Sequence, residues 1–461
     1  MIHLKNITLV KGGRKLFEDL NFQVLPGEHW VVQGENGSGK TLLLQLLAGA
    51  LTPSSGEVQH SFIQGEDWDT LYRERQEKIH FIPTHWIHAF LGGFDGLFYQ
   101  QRYYTLDDTQ LPRVRDVFEG NEHALERFRF SANFDIQALL DLPITRLSNG
   151  QLKKVIILRQ IARNVPRVLL LDYPFDGLDA ESRRDLSNFL DDLATQLGIQ
   201  LILVDHGQRL PAVISRRLVL RDFRIVKTED VLPATTPTTE DSAKDNAGSH
   251  RSDEPVVEMR DLTIAYSGKK IISNLNWRIN KGERWALTGR NGSGKTTLFS
   301  LIFADHPLAY SQQVFLFGKR RGSGESIWDI KNRISYFGPE QTHFLSAKTL
   351  LLSGRDYIRS QKHDSSMRLD KLIDFFTAQK YIDTPIRLLS SGQLQMVLLI
   401  NLFLDDKELL LLDEPFQFLD PGNHERITRY LTEYLDRDIT LVLITHDERD
   451  VGRWTELRKR V

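Results

Sequence analysis

The sequence predicts an α/β protein in which one architecture, a mainly parallel sheet with helices and an antiparallel strand pair, is built twice. Three observations carry this. The octapeptide GENGSGKT, Gly34 to Thr41, lies between the apolar run Trp30, Val31, Val32 and the apolar run Leu42 to Ala48, which is the order strand, glycine loop, helix. The pattern returns as GRNGSGKT, Gly289 to Thr296, with 255 residues from Lys40 to Lys295, and a long-period duplication of this kind decides the domain count. Finally, the wholly apolar runs Val168 to Leu171 and Leu409 to Leu412 each end in an aspartate, as strands buried on both faces of a parallel sheet read.

Two domains of ordinary size fit 461 residues. A hydrophobic share of 41% and a charged share of 26% describe a globular chain. No run approaches the roughly 18 to 20 apolar residues that cross a bilayer, and Met1 to Asn6 shows no basic-then-apolar leader. The absence of cysteine excludes disulfides, thiol catalysis and cysteine-ligated metal, and fits a reducing cytoplasm. A net charge of −2 gives no general attraction to nucleic acid or acidic lipid.

In the first half, Ile2 to Thr8 and Leu20 to Val24 alternate apolar and polar positions, as half-buried antiparallel strands do, with Lys11-Gly12-Gly13 read as their turn. In the glycine loop, Gly34, Gly37 and Gly39 let the backbone aim successive N–H groups, including those of Glu35, Asn36 and Ser38, at one anion. The helix N-terminus adds positive potential there. Lys40 reaches the terminal phosphates and the Thr41 hydroxyl can ligate magnesium. Further on, Leu147-Ser148-Asn149-Gly150-Gln151 precedes Leu152, Val155, Ile156 and Leu158 at helical spacing. Ser148 there is either a helix cap or, with the helix end, a phosphate donor to another surface. Asp172 lies at a strand's carboxyl end, where open α/β sheets bind ligands, and can hold magnesium through water. Leu201 to Val204 ends in Asp205-His206, a histidine that by itself reads as structural as readily as catalytic.

Residues 228 to 254 separate the copies. Seven acids (Glu229, Asp230, Glu240, Asp241, Asp245, Asp253, Glu254) face two bases (Lys244, Arg251), with Pro233 and Pro237. This reads as a flexible acidic linker of 27 residues, able to span roughly 90 Å. The order of features then repeats: Val257 to Ala265, the turn Tyr266-Ser267-Gly268, the loop Gly289, Arg290, Asn291, Gly292, Ser293, Gly294, Lys295, Thr296 and Thr297, the segment Leu389-Ser390-Ser391-Gly392-Gln393, the carboxylates Asp413-Glu414, and Thr445-His446. The offsets are 242 for Gln151 to Gln393, 241 for Asp172 to Asp413 and 240 for His206 to His446. The first copy therefore carries about 13 extra residues before its LSNGQ segment, and the rest keeps register.

These motifs resemble two ATP-binding cassettes of the ABC ATPase superfamily fused in tandem. GENGSGKT and GRNGSGKT match Walker A, LSNGQ and LSSGQ the signature, LLLDYP and LLLDEP Walker B, DGLD and QFLD the D-loop, and His206 and His446 the switch histidine. The resemblance implies P-loop NTPase cassettes, each with a parallel sheet, an antiparallel β subdomain and a helical subdomain: 1–227 and 255–461 on either side of the linker. It also implies ATP and Mg2+ as ligands, and head-to-tail pairing within or between chains. Site one would then take Lys40, Thr41, Asp172 and His206 with Ser390, Gly392 and Gln393. Site two would take Lys295, Thr296, Asp413, Glu414 and His446 with Ser148, Gly150 and Gln151. Thr41 and Asp172, and Thr296 and Asp413, would hold the metal.

The copies differ where the family places its chemistry. Glu414 stands at the general-base position and Tyr173 at its equivalent; a phenol with an unperturbed pKa of about 10 is a poor base at neutral pH. Tyr266 stands where the family stacks a ring on adenine, and Lys11 takes that place in the first copy. Site one is therefore expected to bind ATP and turn it over slowly. After the next strand, where the family has a glutamine that senses the γ-phosphate, Lys78 to Pro83 runs into Thr84-His85-Trp86, and Ile334 to Pro339 into Glu340-Gln341, so Gln341 is a shifted candidate. A narrower resemblance, at Asp305-His306-Pro307, Leu316 to Glu325 and Ile327 to Ile330, is to the tandem ATP-binding family associated with bacterial molybdate transport loci; Tyr173 departs from that family's Asp-Glu.

The function expected is ATP hydrolysis that drives or regulates a transporter with a separate membrane permease, in the cytoplasm at the inner membrane face. The alternative is a translation or ribosome factor of the tandem-cassette class; an acidic, proline-broken linker disfavours RNA binding. A repair ATPase would need long heptads between Walker A and signature, and the inserts Ile87 to Arg146 and Thr342 to Leu388 are too short. The stretch Phe98 to Tyr104 interleaves aromatics with Arg102, which suits base stacking but suits the packing face of a helical subdomain better.

Overall fold

The computed structural model describes residues 1–65, 67–84, 112–121, 123–124, 134–206, 210–231, 253–266, 269–338, 341, 345–346, 348–361, 366–445 and 457–461. His446, the stretch Phe98 to Tyr104 and linker residues 232–252 lie outside the described residues. The chain divides into two compact units, Met1–Pro237 and Thr238–Val461.

The first unit runs β1 (Ile2–Lys11), β2 (Arg14–Val24), β3 (Trp30–Gly34), α1 (Lys40–Leu47), β4 (Ser55–His60), α2 (Trp68–Lys78), β5 (Ile79–Ile82), α3 (Asn149–Arg163), β6 (Val168–Asp172), α4 (Ala180–Leu197), β7 (Gln200–Val204), β8 (Arg216–Arg221) and β9 (Arg224–Asp230). Its antiparallel sheet has the order β2-β1-β4, and its second sheet the order β5-β6-β7-β3-β8-β9. In that second sheet all pairs are parallel except β8 with β9. The second unit runs β10 (Pro255–Tyr266), β11 (Lys269–Asn280), β12 (Arg284–Thr288), α5 (Lys295–Ile302), β13 (Gln313–Leu316), β14 (Lys319–Arg320), α6 (Ile327–Lys331), β15 (Ile334–Phe337), α7 (Gly354–Gln361), α8 (Ser366–Phe375), α9 (Ser391–Phe403), β16 (Leu409–Asp413), α10 (Pro421–Arg429), β17 (Thr440–Ile444) and β18 (Leu457–Arg460). Its sheets are β11-β10-β13-β14 and β15-β16-β17-β12-β18, the latter parallel throughout.

The parallel strands read as unbroken apolar runs because both of their faces are covered. From β6, Val168 and Leu170 face a core with α1, while Leu169 and Leu171 face a core with α3 and α4. The second unit repeats this: Leu409 and Leu411 share a core with α5, and Leu410 and Leu412 share one with α9 and α10. Leu43, Leu44, Leu46 and Leu47 of α1 are fully buried, each contributing about 2 kcal/mol. This packing fixes α1, and with it the glycine loop, against the ends of β3, β6 and β7.

Three expectations are corrected. Lys11 and Tyr266 are the last residues of β1 and β10, not turn residues, because their backbones still pair with Arg14 and Lys269. Strict alternation in β1 and β10 is interrupted by bulges. Asn6 and Asp19, and Asp261 and Asn274, have φ of 48–52°, and Asn21 and Asn276 donate their amides to the Asn6 and Asp261 side chains at 3.0 and 3.1 Å. Thr228 to Asp230, assigned to the linker, belong to β9. Glu229 and Asp230 pair there with Arg217 and Arg216 of β8, so cross-strand ion pairs hold them in the sheet.

Candidate functional site

Each glycine loop joins a central parallel strand to a helix whose first residue is lysine. Gly34 has φ 147°, and a Cβ on it would lie 2.1 Å from Leu220 O; Gly289 has φ 158°, and a Cβ would lie 2.3 Å from Val461 O. No larger residue fits at either turn. The remaining loop residues close the cradle: the N–H of Ser38 donates to Glu35 O at 3.1 Å, and that of Ser293 to Arg290 O at 3.2 Å. Lys40 is buried, and its ammonium donates to Gly34 O and Glu35 O at 2.8 and 2.7 Å. Lys295 repeats this with Gly289 O and Arg290 O at 2.8 and 2.9 Å. The Ser38 and Ser293 hydroxyls are buried without a hydrogen-bond partner. A buried ammonium tied to the carbonyls of a glycine loop at a helix N-terminus fits a polyanion site.

The carboxylate at the end of β6 meets this loop. Thr41 Oγ1 donates to Asp172 Oδ2 at 2.8 Å, and Thr296 Oγ1 to Asp413 Oδ2 at 3.0 Å. Burial raises the Asp172 pKa, against the Thr41 and Thr84 hydroxyls and Lys40, which lower it. Its Oδ1 is buried with no hydrogen-bond partner. One hydroxyl, one orphaned carboxylate oxygen and adjoining phosphate sites fit a hard cation such as Mg2+, whose remaining ligands come from phosphate and water. No cluster of three or more His, Cys, Asp or Glu able to hold a metal exists among the described residues.

The residue after each aspartate occupies the same backbone position. Tyr173 and Glu414 both have φ 52°, and their N–H groups donate to Val204 O and Ile444 O at 3.1 and 3.0 Å. What they present differs. Tyr173 lays its ring against His206, with centroids 5.0 Å apart, and 5.7 Å from the Lys40 ammonium. Glu414 presents a carboxylate.

Ser148 and Ser390 are helix caps. Their hydroxyls accept from Gln151 N and Gln393 N at 3.2 and 3.3 Å, and Gln151 and Gln393 accept from Ser148 N and Ser390 N at 2.9 and 3.0 Å, a reciprocal capping box. Gly150 is buried, and a Cβ there would come 3.1 Å from Ser182 Cβ on α4. Gly392 is buried likewise. Tyr266 stands at the strand position that Lys11 fills in the first unit, and Lys11 is exposed.

Sequence reasoning missed three features. Thr84 Oγ1 donates to Asp172 Oδ2 at 2.9 Å, so a hydroxyl after β5 reaches the carboxylate at the end of β6, where a glutamine was sought. Gln341 instead turns back to Tyr336 O at 2.7 Å. Lys153 of α3 donates to Pro174 O and Asp176 O at 2.8 and 2.6 Å, beside an Arg183–Asp205 pair at 3.4 Å. Burial lowers the Lys153 pKa and raises that of Asp176. A cavity of about 40 Å³, bordered by Thr84, Lys153, Asp172 and Tyr173, lies there; it is large enough for water and too small for a nucleotide. The basic segment of the narrower resemblance is structural in part: Arg321 is buried, paired with Glu325 at 2.7 Å and with Tyr310 Oη at 3.1 Å.

A family model described as ABC transporter matches residues 17–176 and 272–417. The chain is 32% identical to the ABC transporter ATP-binding protein ModF of Escherichia coli, over 92% of this chain and 89% of that protein. It is 29% identical to an uncharacterized ABC transporter ATP-binding protein of Schizosaccharomyces pombe, over 100% of this chain and 97% of that one. Among solved structures, an archaeal ABCE1 bound with Pelota to the ribosome aligns with a TM-score of 0.62 at 20% identity, covering 98% of this chain and 75% of that one, a likeness of fold. No helix among the described residues is long and apolar enough to cross a membrane.

Proposed function

Because the chain belongs to the ABC transporter ATP-binding family and carries two cassettes, both of the ATP-hydrolysing kind, we propose that it couples ATP hydrolysis to driving or regulating a transporter. In this reading the cassettes pair head to tail. Ser390, Gly392 and Gln393 complete the nucleotide site of Lys40, Thr41 and Asp172, and Ser148, Gly150 and Gln151 complete that of Lys295, Thr296 and Asp413. Thr41 with Asp172, and Thr296 with Asp413, would hold Mg2+, which would supply positive charge against that developing on the phosphates. Glu414 takes the proton of the attacking water, and Lys295 stabilises the charge of the transferred phosphoryl group. His446 takes the role of sensing that group. Tyr173, a phenol with an unperturbed pKa of about 10, is a poor base at neutral pH, so the first unit's site holds ATP and turns it over slowly, and the second unit's site does most of the turnover.

The observation that carries this asymmetry is the shared backbone position of Tyr173 and Glu414, identical in φ and in its hydrogen bond to the next strand. The resemblance at Leu316 to Ile330 supports a molybdate-type transport setting, and the likeness to ModF, an ABC transporter ATP-binding protein, supports a separate permease as partner. The test is a pull-down from native membranes and lysate with Glu414→Gln protein held in Mg-ATP, and Lys295→Ala protein as the unclosed control. Recovery of an integral membrane protein with the trapped form alone supports the transport reading. Recovery of ribosomes in its place overturns that reading in favour of translation.

A further inference from the structure

The first unit lacks the ring that the second unit carries at Tyr266, since Lys11 fills that strand position. A different ring stands at its glycine loop. Phe223 lies in the two-residue turn between β8 and β9, where Asp222 and Phe223 have φ of 46° and 61°. That is a turn conformation which favours Asn-Gly and strains a residue bearing a Cβ. The N–H of Phe223 donates to Ser38 O at 3.2 Å, tying the turn to the loop itself. Its ring meets Phe17 edge to face, with centroids 5.8 Å apart at 85°. A Cβ on Gly39 would fall 2.8 Å from Phe223 Cδ1 and 2.9 Å from Phe17 Cζ. Both rings therefore rest on the residue just before Lys40. Phe17 is fully buried, while Phe223 is partly exposed and so is the ring with a face to offer. At the matching point of the second unit, the nearest atoms to a Cβ on Gly294 belong to the aliphatic side chains of Ile272 and Ile271.

We propose that Phe223, backed by Phe17, is the base-stacking surface of the first unit. It takes the purine of a nucleoside triphosphate whose phosphates lie in the Gly34–Thr41 loop. The inference rests on the reading of that loop as a nucleotide site. Binding there divides into two parts: the phosphates are held by Lys40 and the loop N–H groups, and the base by an aromatic face delivered from β8–β9 rather than from β1. An aromatic face is matched by a flat π-system, and its negative quadrupole gives no attraction to a phosphate anion.

The test uses the full chain carrying Lys295→Ala, which silences the second loop, and measures binding of ATP and of inorganic triphosphate by calorimetry. Phe223→Ala and Phe223→Leu are expected to weaken ATP about tenfold and to leave triphosphate unchanged, while Phe223→Tyr retains ATP affinity. Phe223→Trp supplies an independent readout: its fluorescence is quenched by ATP and not by triphosphate. Unchanged ATP affinity in Phe223→Ala, or an equal loss for ATP and triphosphate, overturns the stacking role and leaves the nucleotide site standing. A Lys295→Ala chain that binds neither ligand overturns the nucleotide reading and the stacking with it.

Discussion

The two units set the same loop, strand and helix ends in the same places and differ in what surrounds them. Beside Asp172 in the first unit stand Thr84, the ring of Tyr173 and the four charges of Lys153, Asp176, Arg183 and Asp205. The register of the repeat puts Glu414, Gln395, Gln417, His424 and Thr445 at the positions of Tyr173 and those four residues. Gln395 makes one neutral bond, to Pro415 O at 2.7 Å, where Lys153 makes two with an ammonium. The difference teaches that a tyrosine in place of the glutamate after the strand-end aspartate goes with a charged support for the strand end and the loop after it. That unit is organised to hold the segment following Asp172 in place, and the second to present a carboxylate from it.

The loop lysines give the largest separation between the units. Lys295→Ala is expected to lower steady-state ATP turnover about 100- to 1,000-fold, and Lys40→Ala less than about tenfold. Equal losses in a coupled phosphate-release assay would make the units catalytically alike. Next in size is the charge cluster. Lys153→Gln copies the second unit but leaves Asp176 buried beside Asp205 without its ammonium, and should cost about 3 kcal/mol. Lys153→Gln with Asp176→Gln should recover most of that. Denaturant unfolding of the full chain reads both, and additive losses would show that the two residues do not act as a pair.

How much of this was legible follows from distance along the chain. Gly34 to Thr41, the caps Ser148 and Ser390, and strands ending in Asp172 and Asp413 are patterns within eight residues or fewer, and each reads off its own segment. Thr84 meets Asp172 across 88 positions of sequence, and Phe223 meets Ser38 only because β8 pairs with β3. No local pattern marks such contacts. The bulges at Asn6 and Asp261 were hidden for another reason: one inserted residue shifts the alternation without changing composition. The linker's edge was misplaced because Glu229 and Asp230 look like linker acids until Arg217 and Arg216 are opposite them.

A smaller effect belongs to the Asp172 carboxylate. Thr84→Ala should raise the Mg2+ concentration for half-maximal nucleotide binding in the first unit about tenfold. Gln341→Ala should leave the second unit unchanged, because that side chain bonds back to Tyr336 O. Titration of nucleotide binding against Mg2+ checks both, and a shift with Gln341→Ala would put that residue at the metal instead.

The smallest effect is on pH dependence. Burial depresses the pKa of His29, His60 and His80, all in the first unit. Unfolded, each takes up a proton near its ordinary value of about 6.5, and folded only at lower pH. The unfolded state then binds more protons, so stability is full above that value and falls as pH drops through it. The first unit's thermal transition should therefore move down between pH 7 and pH 5. A transition unchanged over that range would mean that the three rings are solvated in solution.

The central claim is that the carboxylate after Asp413 performs the hydrolysis and the phenol after Asp172 does not. The measurement that meets it most directly is steady-state ATP turnover of Glu414→Gln beside Tyr173→Phe, each with bound nucleotide counted. The account predicts that Glu414→Gln keeps its nucleotide and loses turnover about 100-fold or more, while Tyr173→Phe keeps most of its rate. Full turnover in Glu414→Gln, or its collapse in Tyr173→Phe, would contradict it.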